Sequence, residues 1–116
     1  MDTRLETGAM VVCLVTAPSA EEGHRIARVL VEERLAACVN VVAGVRSVYR
    51  WQGVVEEAEE VLLVVKTTRD RFSGLQERVV SLHSYQVPEV VVLPVEGALP
   101  AYQAWVQESV AAGPAG

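Results

Sequence analysis

Three side chains stand out as candidate ligands for a metal ion: His83, Glu89 and Cys13. His83 closes a helix-like run and is followed by Tyr85 and Glu89, and imidazole with carboxylate suits Cu(II), Zn or Ni. The alternative, which the sequence alone favours, is a histidine at a helix C-terminus, set against the helix dipole and the last carbonyls. Cys13 could offer a soft thiolate to Cu(I). Its flanks, Val12 and Leu14, favour an inert core thiol instead. Cys38, among small apolar neighbours in Ala36-Ala37-Cys38, reads as structural packing. The two cysteines sit in separate strand-like runs with no CxxC, which points to two buried thiols rather than a disulfide.

A second set concerns a cleft. Lys66 ends an apolar run, and a lysine there needs a partner, for which Glu89 is the natural candidate. Together with Tyr85, and with Trp51 of a neighbouring chain, Lys66 and Glu89 could line one ligand-binding cleft. Glu56, Glu57, Glu59 and Glu60 could gather hard cations, but strand geometry puts Glu57 and Glu59 on one side and Glu56 and Glu60 on the other. A solvated arm with cross-strand partners is the better reading. The sequence holds no Ser/His/Asp arrangement, no Gly-rich phosphate loop and no HExxH, so nothing in it argues for an enzyme.

The elements that would position these residues centre on Leu35 to Lys66, which reads as one long β-hairpin. Gln52-Gly53 is its turn, with Gly53 the structural glycine that tolerates positive φ. Val39, Val41, Ala43, Val45, Tyr49 and Trp51 share one parity, the pattern of a half-buried strand. Each arm could run roughly 14 residues, about 45 Å, longer than a small chain can cover by itself. A two-residue turn sets Arg46 opposite Glu59 and Tyr49 opposite Glu56. Before the hairpin, Met10–Thr16 is a Val-rich strand. Ser19 and Glu22 form a capping box opening a helix over about 20–34, with Ile26, Ala27, Leu30 and Val31 as its apolar stripe. After the hairpin, Asp70 is a plausible N-cap for a helix carrying Phe72, Leu75, Val79 and Leu82, with Gly74 a weak point. A loop over 83–88, a strand over 89–95 and a third helix from Pro100 with Tyr102, Trp105, Val106 and Val110 complete the order. The β-α-β-β-α-β succession is the α+β, ferredoxin-like split βαβ arrangement: helices on a mostly antiparallel four-stranded sheet, plus a C-terminal helix.

One ferredoxin-like domain is expected over 1–116, ordered about 10–111, with the N-terminal lead-in and the tail Ala112–Gly116 flexible. The 51% hydrophobic, 5% aromatic composition suits a Val/Ala/Leu core in 116 residues. A net charge of −5 argues against nucleic acid as partner and is compatible with binding cations. No apolar run reaches the 18 or so residues a membrane helix needs, and the N-terminus lacks a signal-peptide pattern, so a cytoplasmic protein is expected.

Several ungapped segments together resemble the CutA family of divalent-cation tolerance proteins: Val15-Thr16-Ala17-Pro18, Leu35 to Asn40, Ser47 to Gly53, Lys66-Thr67, His83 to Glu89 and Leu93-Pro94-Val95. The resemblance covers about Val11 to Ser109. It implies a ferredoxin-like homotrimer, a link to copper and other divalent metal ions, no settled enzymatic activity and no organic cofactor. A regulatory small-ligand or protein-interaction role, using clefts between subunits, is the alternative it leaves open. In the family's bacterial archetype copper binding is credited to a first-strand Cys and a His pair before the loop Tyr. Here Val15 takes the Cys position, Leu82 takes one His position, and Ser84 replaces the usual Pro. Cys13 lies two residues earlier on the same side of the strand, about 7 Å away.

Overall fold

Gln52 and Gly53 both adopt positive φ, 50° and 82°, so the chain reverses there in the two-residue turn whose twist matches the strands it joins. The computed structural model describes Glu6 to Ala111. Within it the two arms are β2 (Cys38–Trp51) and β3 (Val54–Thr68), 14 and 15 residues long. Preceding them are β1 (Met10–Ala17) and α1 (Ala20–Glu32). Following them are α2 (Phe72–Leu82), β4 (Val90–Pro94) and α3 (Pro100–Val110). The four strands pair in the order β2-β3-β1-β4, every pairing antiparallel. This is the α+β split βαβ sheet that the element order implied.

Alternation decides which side of the sheet is core. Val11, Cys13, Val15 and Ala17 of β1 and Val61, Leu63 and Val65 of β3 are buried together against Ile26 and Leu30 of α1 and Leu75 and Val79 of α2. Met10 points the other way from Val11 and forms a second cluster with Ala37, Val106 and Val110. The third helix therefore covers part of the opposite face. Close helix–sheet contact needs Gly23, where an added Cβ would stand 2.7 Å from Val61 Cγ2.

The hairpin register is as its turn dictates from Trp51↔Val54 back to Val45↔Glu60, including Arg46↔Glu59 and Tyr49↔Glu56. Then a β-bulge at Ala43-Gly44, with Gly44 at φ 80°, shifts it by one. Val41 pairs with Leu63, but Val45 pairs with Glu60. Directly opposed residues share a face. Val39 and Val41 thus lie on the buried face of β3, while Val45, Tyr49 and Trp51 lie on the face of Glu56 and Glu60. The single parity read from the sequence does not hold across the bulge.

Other boundaries move for local reasons. The first helix stops at Glu32 rather than near Arg34, because Arg34 takes the left-handed φ of 59°. Val31 is exposed, outside the stripe of Ile26, Ala27 and Leu30. Ser19 does cap, accepting from Glu22 N–H at 3.1 Å, but the Glu22 carboxylate turns to Ser84 and does not close the box. Asp70 is not the cap of α2. It lies in a 3₁₀ turn, Arg69–Arg71, and accepts from Thr68 Oγ1 at 2.6 Å. Gly74 is a close approach, its added Cβ meeting Leu35 at 3.2 Å. Trp105 faces outward, leaving Val106 and Val110 as the buried residues of α3. From Glu6 on, the lead-in is tied down, with Asp70 N–H donating to Thr7 O and Arg69 N–H to Ala9 O. The expected flexibility of 1–5 and of 112–116 falls outside the described residues.

Candidate functional site

The loop that follows α2 is fixed at three points. His83 Nε2 is 2.7 Å from Thr16 O, and Tyr85 N–H donates to His83 Nδ1 at 3.0 Å. A carbonyl only accepts, so Nε2 carries the proton and Nδ1 is the acceptor: the imidazole is neutral in this arrangement. Its side chain is fully enclosed. Glu22 Oε2 takes both the N–H and the hydroxyl of Ser84, at 3.0 and 2.9 Å, and lies 3.4 Å from His83 Nδ1. Burial pushes the Glu22 carboxyl up, but the two Ser84 hydrogen bonds and the charge of Arg25 outweigh it. The net shift is downward from the ordinary value.

Held this way, the loop sends Tyr85 towards the hairpin. Its ring lies 4.7 Å from that of His83, and its hydroxyl donates to Glu60 Oε2 at 2.8 Å. On the adjacent strand Tyr49 donates to Glu56 Oε2 at 3.2 Å. Desolvation, followed by the neighbouring carboxylates, raises both phenols above their ordinary value, so they remain donors. Between loop and hairpin is an open cleft of about 850 Å³. Tyr49, Trp51 and Tyr85 supply its rings, Glu56, Glu60 and Glu89 its carboxylates, and Thr16, Ser47 and Ser84 further oxygens. Among the described residues no Lys, Arg or His lines it. The turn's register sets this face by pairing Tyr49 with Glu56, and the bulge separates it from the buried face of Val39 and Val41.

Of the cleft expected from sequence, Trp51, Tyr85 and Glu89 come together, and they do so within one chain. Lys66 does not join them. It pairs in register with Cys38, its Nζ 4.0 Å from Sγ, so Cys38 is half-buried beside an ammonium group rather than packed only among alkyl groups. The expected Lys66–Glu89 pair is not formed. His83, Glu89 and Cys13 are likewise not brought together. Cys13 is 0% exposed in the core, and burial pushes its thiol up to about 11. Both His83 nitrogens are engaged, and Glu89 is exposed at the cleft. Among the described residues no three His, Cys, Asp or Glu side chains converge on one point. These residues do not form a coordination shell for a bare divalent ion. Glu60 was the residue sequence reasoning passed over. Its signal was its position, the last carboxylate before the buried run Val61–Val65.

The CutA1 divalent ion tolerance protein family model matches residues 11–109. The divalent-cation tolerance protein CutA of Thermus thermophilus is 54% identical over 98 residues, 84% of this chain and 95% of that one. The solved structure from the same species superposes with a TM-score of 0.86 at 52% identity, covering 88% and 99% of the two chains. The chloroplastic CutA of Arabidopsis thaliana is 41% identical across 94% of this chain and 60% of its own length. A structure from Archaeoglobus fulgidus, described as a periplasmic divalent cation tolerance protein, is 37% identical with a TM-score of 0.86, covering 88% and 99%. The cytoplasmic expectation is overturned by these descriptions. Relatives are described as chloroplastic and as periplasmic, so the lack of a signal pattern does not assign this chain a compartment. No helix among the described residues is long and apolar enough to cross a membrane.

Proposed function

The chain belongs to the CutA1 divalent ion tolerance family, and from that premise we propose that it acts as a homotrimeric cation-binding protein with the acidic cleft as its ligand site. The family is one of ion tolerance rather than of a known reaction. The observation that carries the reading is the lining of the cleft: among the described residues, three carboxylates, three aromatic rings and no basic side chain, on a chain of net charge −5. Such a hollow concentrates cations from solution. Copper(II) is the preferred divalent ion on the general order of stabilities. Without a convergent shell the ion enters hydrated, held by Glu60, Glu56 and Glu89, so binding is weak and poorly selective.

Assembly is supported by what the sheet leaves bare. Its edges are β2 and β4. Val48, Val54 and Val55 on the hairpin and Val91 and Leu93 on β4 are all more than 40% exposed. Two unlike sticky edges on one chain favour head-to-tail pairing, which closes into a ring and removes the open edges.

Calorimetric titration of Cu(II) and Zn(II) tests the site. Weak binding, copper ahead of zinc, reduced in Glu60→Gln and unchanged in Cys13→Ser, is the expected result. Copper binding untouched by Glu60→Gln but lost in His83→Ala or Cys13→Ser would return the site to an imidazole–thiolate set.

A further inference from the structure

We propose that the cleft is built for a small organic cation bearing N–H donors, such as a protonated aliphatic amine, in preference to a bare metal ion. This rests on the reading that the cleft is the cation site, and it names the ligand class. The first observation is Glu60. It is 8% exposed, lines the cleft, and receives a single hydrogen bond among the described residues, from Tyr85 to Oε2. Its other oxygen receives no hydrogen bond from the described residues. A carboxylate this enclosed is costly unless a cation or further donors meet it, and the described lining residues supply no cation.

The second observation is the rings. Within one chain Tyr49 is 40% exposed beside Glu56, and Tyr85 is half-buried beside Glu60. Aromatic faces next to carboxylates attract organic cations through the ring quadrupole and cover their alkyl parts. A hard divalent ion gains little from such faces and asks for several convergent oxygens at about 2.0–2.6 Å. Here the carboxylates do not converge, and Tyr49 and Tyr85 already occupy one oxygen each of Glu56 and Glu60. An ammonium group needs only one or two acceptors and a place for its chain. A quaternary ammonium would satisfy the rings but not the free oxygen of Glu60.

The test is calorimetry on the full chain as it assembles, in an amine-free buffer at pH 7, with 1,5-diaminopentane, tetramethylammonium and Zn(II) as probes. The diamine is expected to saturate at one site per chain, with tetramethylammonium at least about fivefold weaker for want of a charge-assisted hydrogen bond. Glu60→Gln should weaken the diamine about tenfold or more, and Glu89→Gln, at the exposed rim, should weaken it less. Glu108→Gln on α3 changes net charge equally and should leave binding unchanged. Circular dichroism confirms that each variant is folded; an unfolded Glu60→Gln passes the decision to Glu89→Gln. Zinc binding without saturable diamine binding overturns this inference while the cation-site reading stands. Absence of any cation binding overturns both. Equal loss in Glu108→Gln, or equal affinity for tetramethylammonium, also overturns the proposal.

Discussion

The two halves of the β2–β3 hairpin are the same pair of strands in two different environments. Near the helices, Leu63 and Val65 are 0% exposed under α1 and α2. Beyond the bulge, Val48, Val54 and Val55 are about 60% exposed, at 63%, 59% and 59%. The near half is held by packing inside the chain. The far half is held mainly by its own ladder and turn, and it projects enough that the radius of gyration, 15.0 Å, exceeds the about 13 Å of a compact chain this long. Apolar side chains kept bare on a projecting arm are placed for contact with something outside the chain. The bulge at Ala43-Gly44 is the junction, and it puts the aromatics of the far half on the sheet face opposite to Val39 and Val41.

The sharpest way to break this comparison is to exchange the penalties. Leu63→Ala should cost about 2–5 kcal/mol of folding stability, since a filled core position becomes a cavity. Val55→Ala should leave the folded subunit intact and appear only as easier dissociation on dilution. Urea unfolding at fixed protein concentration, paired with a dilution series, checks both. Similar unfolding losses in the two variants would erase the distinction.

Trp51→Ala comes next. An aromatic anchor near the turn should contribute about 2 kcal/mol to association and little to helix content. Sedimentation beside far-UV circular dichroism separates the two readouts, and equal loss of both would place Trp51 in the subunit's own fold.

Gly23→Ala probes how tightly the near half is packed. The new Cβ must displace Val61 Cγ2 from 2.7 Å, at about 1–3 kcal/mol of overpacking, partly offset by about 1 kcal/mol of helix propensity. A net loss of about 1–2 kcal/mol in thermal unfolding is expected, and a stabilised variant would show the near half to be slack.

The smallest effect is electrostatic. The folded-state pKa of Glu22 is depressed, so its contribution is fully present above the unfolded value of 4.5 and is lost as pH falls through the folded value. Stability measured from pH 6 to pH 3 should therefore fall less steeply in Glu22→Gln than in the parent chain. Parallel profiles would show that the Ser84–Glu22 link does not hold the loop.

What the sequence disclosed follows the reach of its signals. The turn at Gln52-Gly53, the arm lengths and the pairs Arg46–Glu59 and Tyr49–Glu56 are consequences of local chemistry and a two-residue period. The bulge was hidden because Gly44 sits inside an otherwise regular alternation, and one extra residue changes which face every later side chain takes. Contacts between distant segments were also out of reach. His83 finds Thr16 67 positions away, and Glu22 finds Ser84 62 away. Lys66 meets Cys38 rather than Glu89 because strand pairing, not charge, sets its neighbours. That Trp51 and Tyr85 line one cleft was legible, whereas Glu60 was obscured by the three glutamates around it.

In the proposed assembly, other copies of the chain complete the far half of the hairpin. Light scattering at micromolar concentration tests it most directly. The expected mass is three times the 12.6 kDa of one chain, constant over at least tenfold dilution. A stable species of one chain's mass, with the hairpin's apolar side chains left in water, would contradict it.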